Sequence, residues 1–265
     1  MSAAPGSTAI PPATRRPMTL WRLEVARAVR THRWLIVVGV YALFGVLGPV
    51  TARYINEIIA RFGGGVQITA PDPQPADGIV QFLSNASQLG LLAVAVVAAG
   101  ALAVDARPEV SAFLRTKVDH PRWLVVPPYL VTTAVAALAL VVGTVIAWSL
   151  SVVLLGAIDV GALVVGTLYG IGYHAFAVAV VAAVASAVRG QGATILTTIG
   201  VLLAFPIVGV VDAVRPWLPS ELLTAAAAMV AGVPAGDYVR AVVVTVVATP
   251  LLVLLAVRRT GRREL

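Results

Sequence analysis

WLVVPPYLVT TAVAALALVV GTVIAWSLSV VLLGAI, residues 123–158, runs for 36 positions without a charged side chain. A helix of about 20 such residues crosses the hydrocarbon of a bilayer, and 36 are too few for two crossings and a turn. The run is continuously apolar and rich in Ala, Val and Leu. Strands of a membrane barrel would alternate apolar and polar residues at period two, so this is one membrane-spanning helix.

Outward from it, charges delimit five more runs, at 34–52, 78–104, 160–188, 190–211 and 241–257. The chain is therefore expected to be an all-α membrane protein with six transmembrane helices, at about 34–52, 82–104, 123–153, 161–188, 192–212 and 240–257. Of the 265 residues 59% are hydrophobic and 12% charged, about half the charged share of an ordinary soluble domain. Residues 1–18, rich in Ala and Pro, read as a disordered tail, and 259–265 as a basic C-terminal tail. There is no cysteine, which excludes disulfides and thiolate metal sites.

The basic residues orient the bundle. If the N-terminus is cytoplasmic, fifteen of the nineteen Lys and Arg fall in cytoplasmic segments, and only Arg53, Arg61, Arg215 and Arg240 lie outside. A cytoplasmic excess of this kind fixes topology during insertion, so both termini are expected in the cytoplasm, with the protein in the cell membrane. The net charge of +7 is thereby accounted for without nucleic acid as a partner.

Short amphipathic segments flank the spans. In 19–33, Trp21, Val25, Ala28 and Val29 share one side and Glu24, Arg27, Arg30 and Thr31 the other, as in a helix lying on the inner membrane surface against anionic lipid. A polar continuation of the first span is the alternative. Beyond that span Tyr54, Ile55, Ile58, Ile59 and Phe62 fall on a narrow arc, ended by Gly63, Gly64 and Gly65 and by an extended stretch at Pro71, Pro73 and Pro75. A second segment, 213–240, carries a short helix begun by Ser220. Together they predict a small extracytoplasmic helical cap.

Catalytic signatures are sparse. None of the twelve acids falls in mid-span, which disfavours a proton-driven pump, and no HExxH set exists for an intramembrane metalloprotease. Only His174 is central to a span, in Gly170-Ile171-Gly172-Tyr173-His174. It reads either as a proton relay or substrate contact, or as a histidine bonded to a neighbouring helix. Gly166 and Gly170, four apart, allow close helix approach within the chain or between copies. A GxxxxGK[ST] loop is missing, so the chain does not itself cradle nucleotide phosphates.

The loop 105–122 between spans two and three carries Asp105, Arg107, Glu109, Arg115, Lys117 and Arg122. Pro108 suits the first turn of a short helix with Val110, Phe113 and Leu114 on one side. Exposed Phe113 and Leu114 would be relieved by a docking partner.

With Glu24 among arginines in an N-terminal helix, six spans, and Gly100, Asp105, Phe113, Leu114, Thr116, Lys117 and Arg122 around a first intracellular loop, the chain resembles the permease subunits of ABC-2 type transporters. Segments 52–60 and 82–90 look like actinobacterial-type members. The resemblance covers nearly the whole chain, 19–258. It implies an ATP-driven exporter subunit without enzymatic activity of its own. A separate ABC ATPase carrying ATP and Mg would couple through Asp105, Arg107, Glu109, Val110, Phe113, Leu114, Arg115 and Lys117, and a second permease copy or a relative would complete the pathway. The other class left open is a membrane scaffold or an intramembrane enzyme centred on His174 and Tyr173.

Overall fold

The computed structural model describes residues 18–62, 72–103 and 120–262. The loop residues Asp105, Arg107, Glu109, Val110, Phe113, Leu114, Arg115 and Lys117, the Gly63–Gly65 terminator and the tail 1–17 lie outside the described residues. Within the described residues there is no strand, and six helical segments are long and apolar enough to cross a membrane. The chain is a multi-pass membrane protein.

Helix α1 (Met18–Arg30) ends before α2 (Arg33–Arg53), the first span. Between them His32 adopts a left-handed conformation (φ 52°), which is uncommon for a residue with a Cβ and breaks the helical path. The first segment is thus a helix of its own, not an extension of the span. Helix α3 (Ile55–Phe62) follows α2.

The second span begins earlier than its apolar run. Pro75, expected in an extended stretch, instead occupies the first turn of α4 (Pro75–Asn85), where its missing N–H costs nothing. Gln74 and Asp77 form a reciprocal cap there, with the Gln74 amide donating to Asp77 Oδ2 at 2.7 Å. A single π turn, Ala86–Gly90, joins α4 to α5 (Leu91–Leu102). The third span, α6 (Arg122–Leu154), has 33 residues and carries Pro127 and Pro128 inside it. Asp159 caps α7 (Val160–Ala185), its Oδ1 accepting from Gly161 N at 2.8 Å. Helix α8 (Gln191–Val208) is followed by two 3-10 turns (Arg215–Trp217, Pro219–Leu223), short α9 (Ala225–Val230) and a third 3-10 turn (Ala235–Tyr238). The last span, α10 (Val239–Arg262), continues through the first four residues of the stretch read as a tail.

Packing is organised by two features. Helices α2 and α6 share the most extensive contact, because Gly45 and Gly143 let their backbones meet: a Cβ on Gly45 would lie 2.6 Å from Gly143 O. Helix α7 is the centre, with 67% of its most apolar stretch buried against 17% for α8 and for α10. From Phe176 to Ala183 every residue of α7 is buried, which requires the all-round apolar sequence found there. On α8, Leu196 and Ile207 are 73% and 72% exposed; in a bilayer such surface faces lipid.

Candidate functional site

Within the segment expected as part of a cap, Pro219–Leu223 and α9 pack on α7. Ala225, Ala226 and Ala227 are buried, and a Cβ on Gly166 would overlap the Ala226 backbone. Leu222 O lies near Gly170, ten residues into α7 and so about 15 Å along its axis. This irregular backbone is covered by protein and lines a cavity, the two settings in which such backbone is tolerated in a membrane bundle. Gly166 and Gly170 therefore serve packing within the chain, Gly166 against α9 and Gly170 against Leu140 of α6.

A cavity of about 560 Å³ opens between α5 and α8, beneath this segment. Its mouth is polar, set by Ser87 and Gln88 of the π turn and by Ser220, Glu221 and Thr224. The rest of its lining is apolar, with Leu91, Ala95 and Leu202 on its walls, the exposed Leu203 at its edge and Tyr173 reaching it from α7. The π turn adds one residue to the helical path, and such turns are frequent at functional sites. Glu221 pairs with Arg215 at 3.2 Å. That Glu221 lines this cavity is not legible from the apolar runs; the signal is the small-residue run 225–228 matching Gly166.

Tyr173 and His174 part company. A helix turns about 100° per residue, so while Tyr173 faces the cavity, His174 is fully buried toward α2. Its Nδ1–H donates to Gly170 O at 2.7 Å. A carbonyl only accepts, so Nε2 is the unprotonated nitrogen and accepts from the Tyr41 hydroxyl at 2.5 Å. Both ring nitrogens are satisfied. The Tyr41 ring is held in turn by the π turn, since a Cβ on Gly90 would lie 2.7 Å from it.

A second convergence lies at the end of α5. Arg27 of α1 donates to Gly100 O at 3.3 Å and pairs with Glu24 at 3.4 Å, while Arg33 and Gln191 reach the space beside Gly100 from α2 and α8. Cations suit a helix C-terminus. Glu24 and Arg27 thus face the bundle together with Trp21, whereas Val25 and Val29 are 49% and 57% exposed and Arg30 points outward.

Burial raises the Glu24 carboxyl above its ordinary range, and Arg27 only partly opposes this. The docked state then holds the proton more tightly than the undocked one, so docking of α1 weakens as pH rises from the ordinary carboxylate pKa through the raised one. Glu24→Gln is expected to flatten that dependence and slow amide exchange across 18–30 at neutral pH. Unchanged exchange in both respects would show that Glu24 is not desolvated on α5.

Compared with protein families, curated proteins and solved structures, the chain matches none of them.

Proposed function

We propose that this chain is the permease subunit of an ATP-driven, ABC-2 type exporter, moving an amphiphilic solute through the cavity between α5 and α8. The observation that carries the reading is that cavity: a volume within the range of small-molecule sites, polar at its mouth and apolar over the rest of its lining, at an irregular point of a membrane bundle. An amphiphile matches both surfaces. The excess of arginines on the side of α1 and the C-terminus supports cytoplasmic termini in the cell membrane, with α3 and the segment 215–238 on the opposite side. The resemblance of Gly100 through Arg122 to a coupling loop supports a separate ATPase, holding ATP and Mg itself, that grips Phe113 and Leu114. A second copy or a related permease completes the pathway. The clustering of Arg27, Arg33 and Gln191 around Gly100 ties the end of α5 to α1, α2 and α8, so a partner bound near it would bias a two-state packing of the bundle. His174, with both nitrogens engaged in the core, serves packing in this reading.

The test co-expresses the chain with an ATPase carrying GxxxxGK[ST] from a neighbouring reading frame. Alone, the chain shows no ATP hydrolysis; the pair co-purifies and hydrolyses ATP. Phe113→Asp with Leu114→Asp releases the ATPase, while Leu202→Trp, which fills the cavity, leaves it bound but stops efflux of a fluorescent amphiphile from vesicles. A fully active complex carrying both aspartates would overturn the coupling assignment, and unimpaired efflux with Leu202→Trp the pathway.

A further inference from the structure

A second groove, also of about 560 Å³, lies on the far side of α8. Its floor is one ridge of α7, formed by Phe176, Val180, Ala183, Val184 and Ala187, residues recurring at the three- and four-residue spacing of a helix face. Phe205 of α8 walls one side, held edge-to-face on Phe176 with ring centroids 5.6 Å apart. Val244, Ala248, Leu251 and Leu252 of α10 wall the other. Helices α8 and α10 both pack on α7 but share no extensive contact, so the groove opens sideways into the surrounding membrane. From Val244 to Arg259 it follows α10 for about 22 Å.

The two ends differ. At one, Trp217 and Leu218 close the groove, and Trp217 lies under Arg240 at 5.4 Å. At the other, Arg259 lines it directly, beside Arg258 and Arg262, all three exposed and without an acidic partner among the described residues. A long apolar slot ending in a cluster of unpaired guanidinium groups matches one class of molecule already present in the membrane.

We infer that this groove holds an acyl chain of an anionic phospholipid from the leaflet on the side of the chain termini, its phosphate on Arg259 with Arg258 and Arg262. Guanidinium groups bind phosphate in a planar, two-pronged geometry, and the arginine stem follows the apolar wall while its head stays at the interface. A second copy of the chain is the other occupant an apolar face could take. A two-fold dimer would present the same patch from both subunits, setting two arginine clusters against each other. Anionic lipid neutralises the cluster instead. The inference does not depend on the permease reading, since neither the ATPase loop nor the α5/α8 cavity enters it.

Native mass spectrometry of the detergent-purified chain, titrated with dioleoyl phosphatidylglycerol or dioleoyl phosphatidylcholine, tests it. Phosphatidylglycerol is expected to be retained preferentially. Arg259→Gln should lower its affinity about five-fold, and Arg258→Gln with it further, leaving phosphatidylcholine unchanged. Ala248→Phe, which narrows the groove at a half-buried position, should reduce retention of both lipids. The glutamine variants lie on exposed positions and keep the test decisive even where Ala248→Phe folds poorly. Equal retention of the two lipids by the wild-type chain, or a lipid-free dimer abolished by Ala248→Phe, would overturn the assignment.

Discussion

Gly166→Val is expected to lower the unfolding midpoint in detergent sharply, while Gly172→Ala, on the same helix, does not lower it. The two glycines look alike in sequence. At Gly166 a Cβ would overlap Ala226 Cα and stand 2.7 Å from Ala226 N; the obstacle is backbone, which no rotamer change moves aside. Val adds two further methyl groups to that collision. Overpacking of a core costs about 1–3 kcal/mol, and more where backbone must shift, so about 3 kcal/mol or more is expected here against a total stability of about 5–15 kcal/mol. Around Gly172 nothing lies within 4 Å, and alanine there meets no obstacle while removing the roughly 0.5–1 kcal/mol that a mid-helix glycine costs. Stepwise unfolding of the two variants in mixed micelles, followed by circular dichroism and size exclusion, checks the contrast. A monodisperse Gly166→Val protein with the wild-type midpoint would mean that α9 does not pack on α7 as described.

The same pair of glycines marks where sequence was legible and where it was not. Six spans could be read because crossing hydrocarbon imposes a length and a composition that each run displays by itself. The position of 215–230 could not, because it depends on which surface receives it. Pro216, Pro219 and the weakly apolar alanines are what an exposed connection would also contain. Only the match between Ala226 and Gly166, sixty residues apart, marks the part of the segment that packs on α7. For the same reason the sequence does not show that Glu221 lines a cavity with Gln88 and Thr224. Pro75 was misread by a local rule: proline excludes helix interiors but favours the first turn, and the Gln74–Asp77 cap decides between them. His174 carried two readings because a histidine in a span requires a partner, and its partner, Tyr41, is 133 residues away.

The Tyr41–His174 bond gives the sharpest division between packing and chemistry. Tyr41→Phe removes the hydroxyl donor and leaves Nε2 of a fully buried imidazole without one. A buried group so stranded costs about 1–3 kcal/mol, and membrane interiors reduce the figure toward about 0.6–1.7 kcal/mol because the loosened helices find other partners. His174→Leu strands the Tyr41 hydroxyl instead, and leaves Gly170 O with its helical bond alone. In Tyr41→Phe/His174→Leu neither side chain retains a polar group to strand. The double variant is therefore expected to lose less than the two single losses added, by about 1 kcal/mol, measured as the unfolding midpoint in mixed micelles. If His174 acts only by holding α7 to α2, activity in the double variant follows its stability and recovers with it. Were His174→Leu and the double variant equally inactive while both remain folded and in complex, the imidazole would be required for more than the bond, and the assignment of His174 to packing would be wrong.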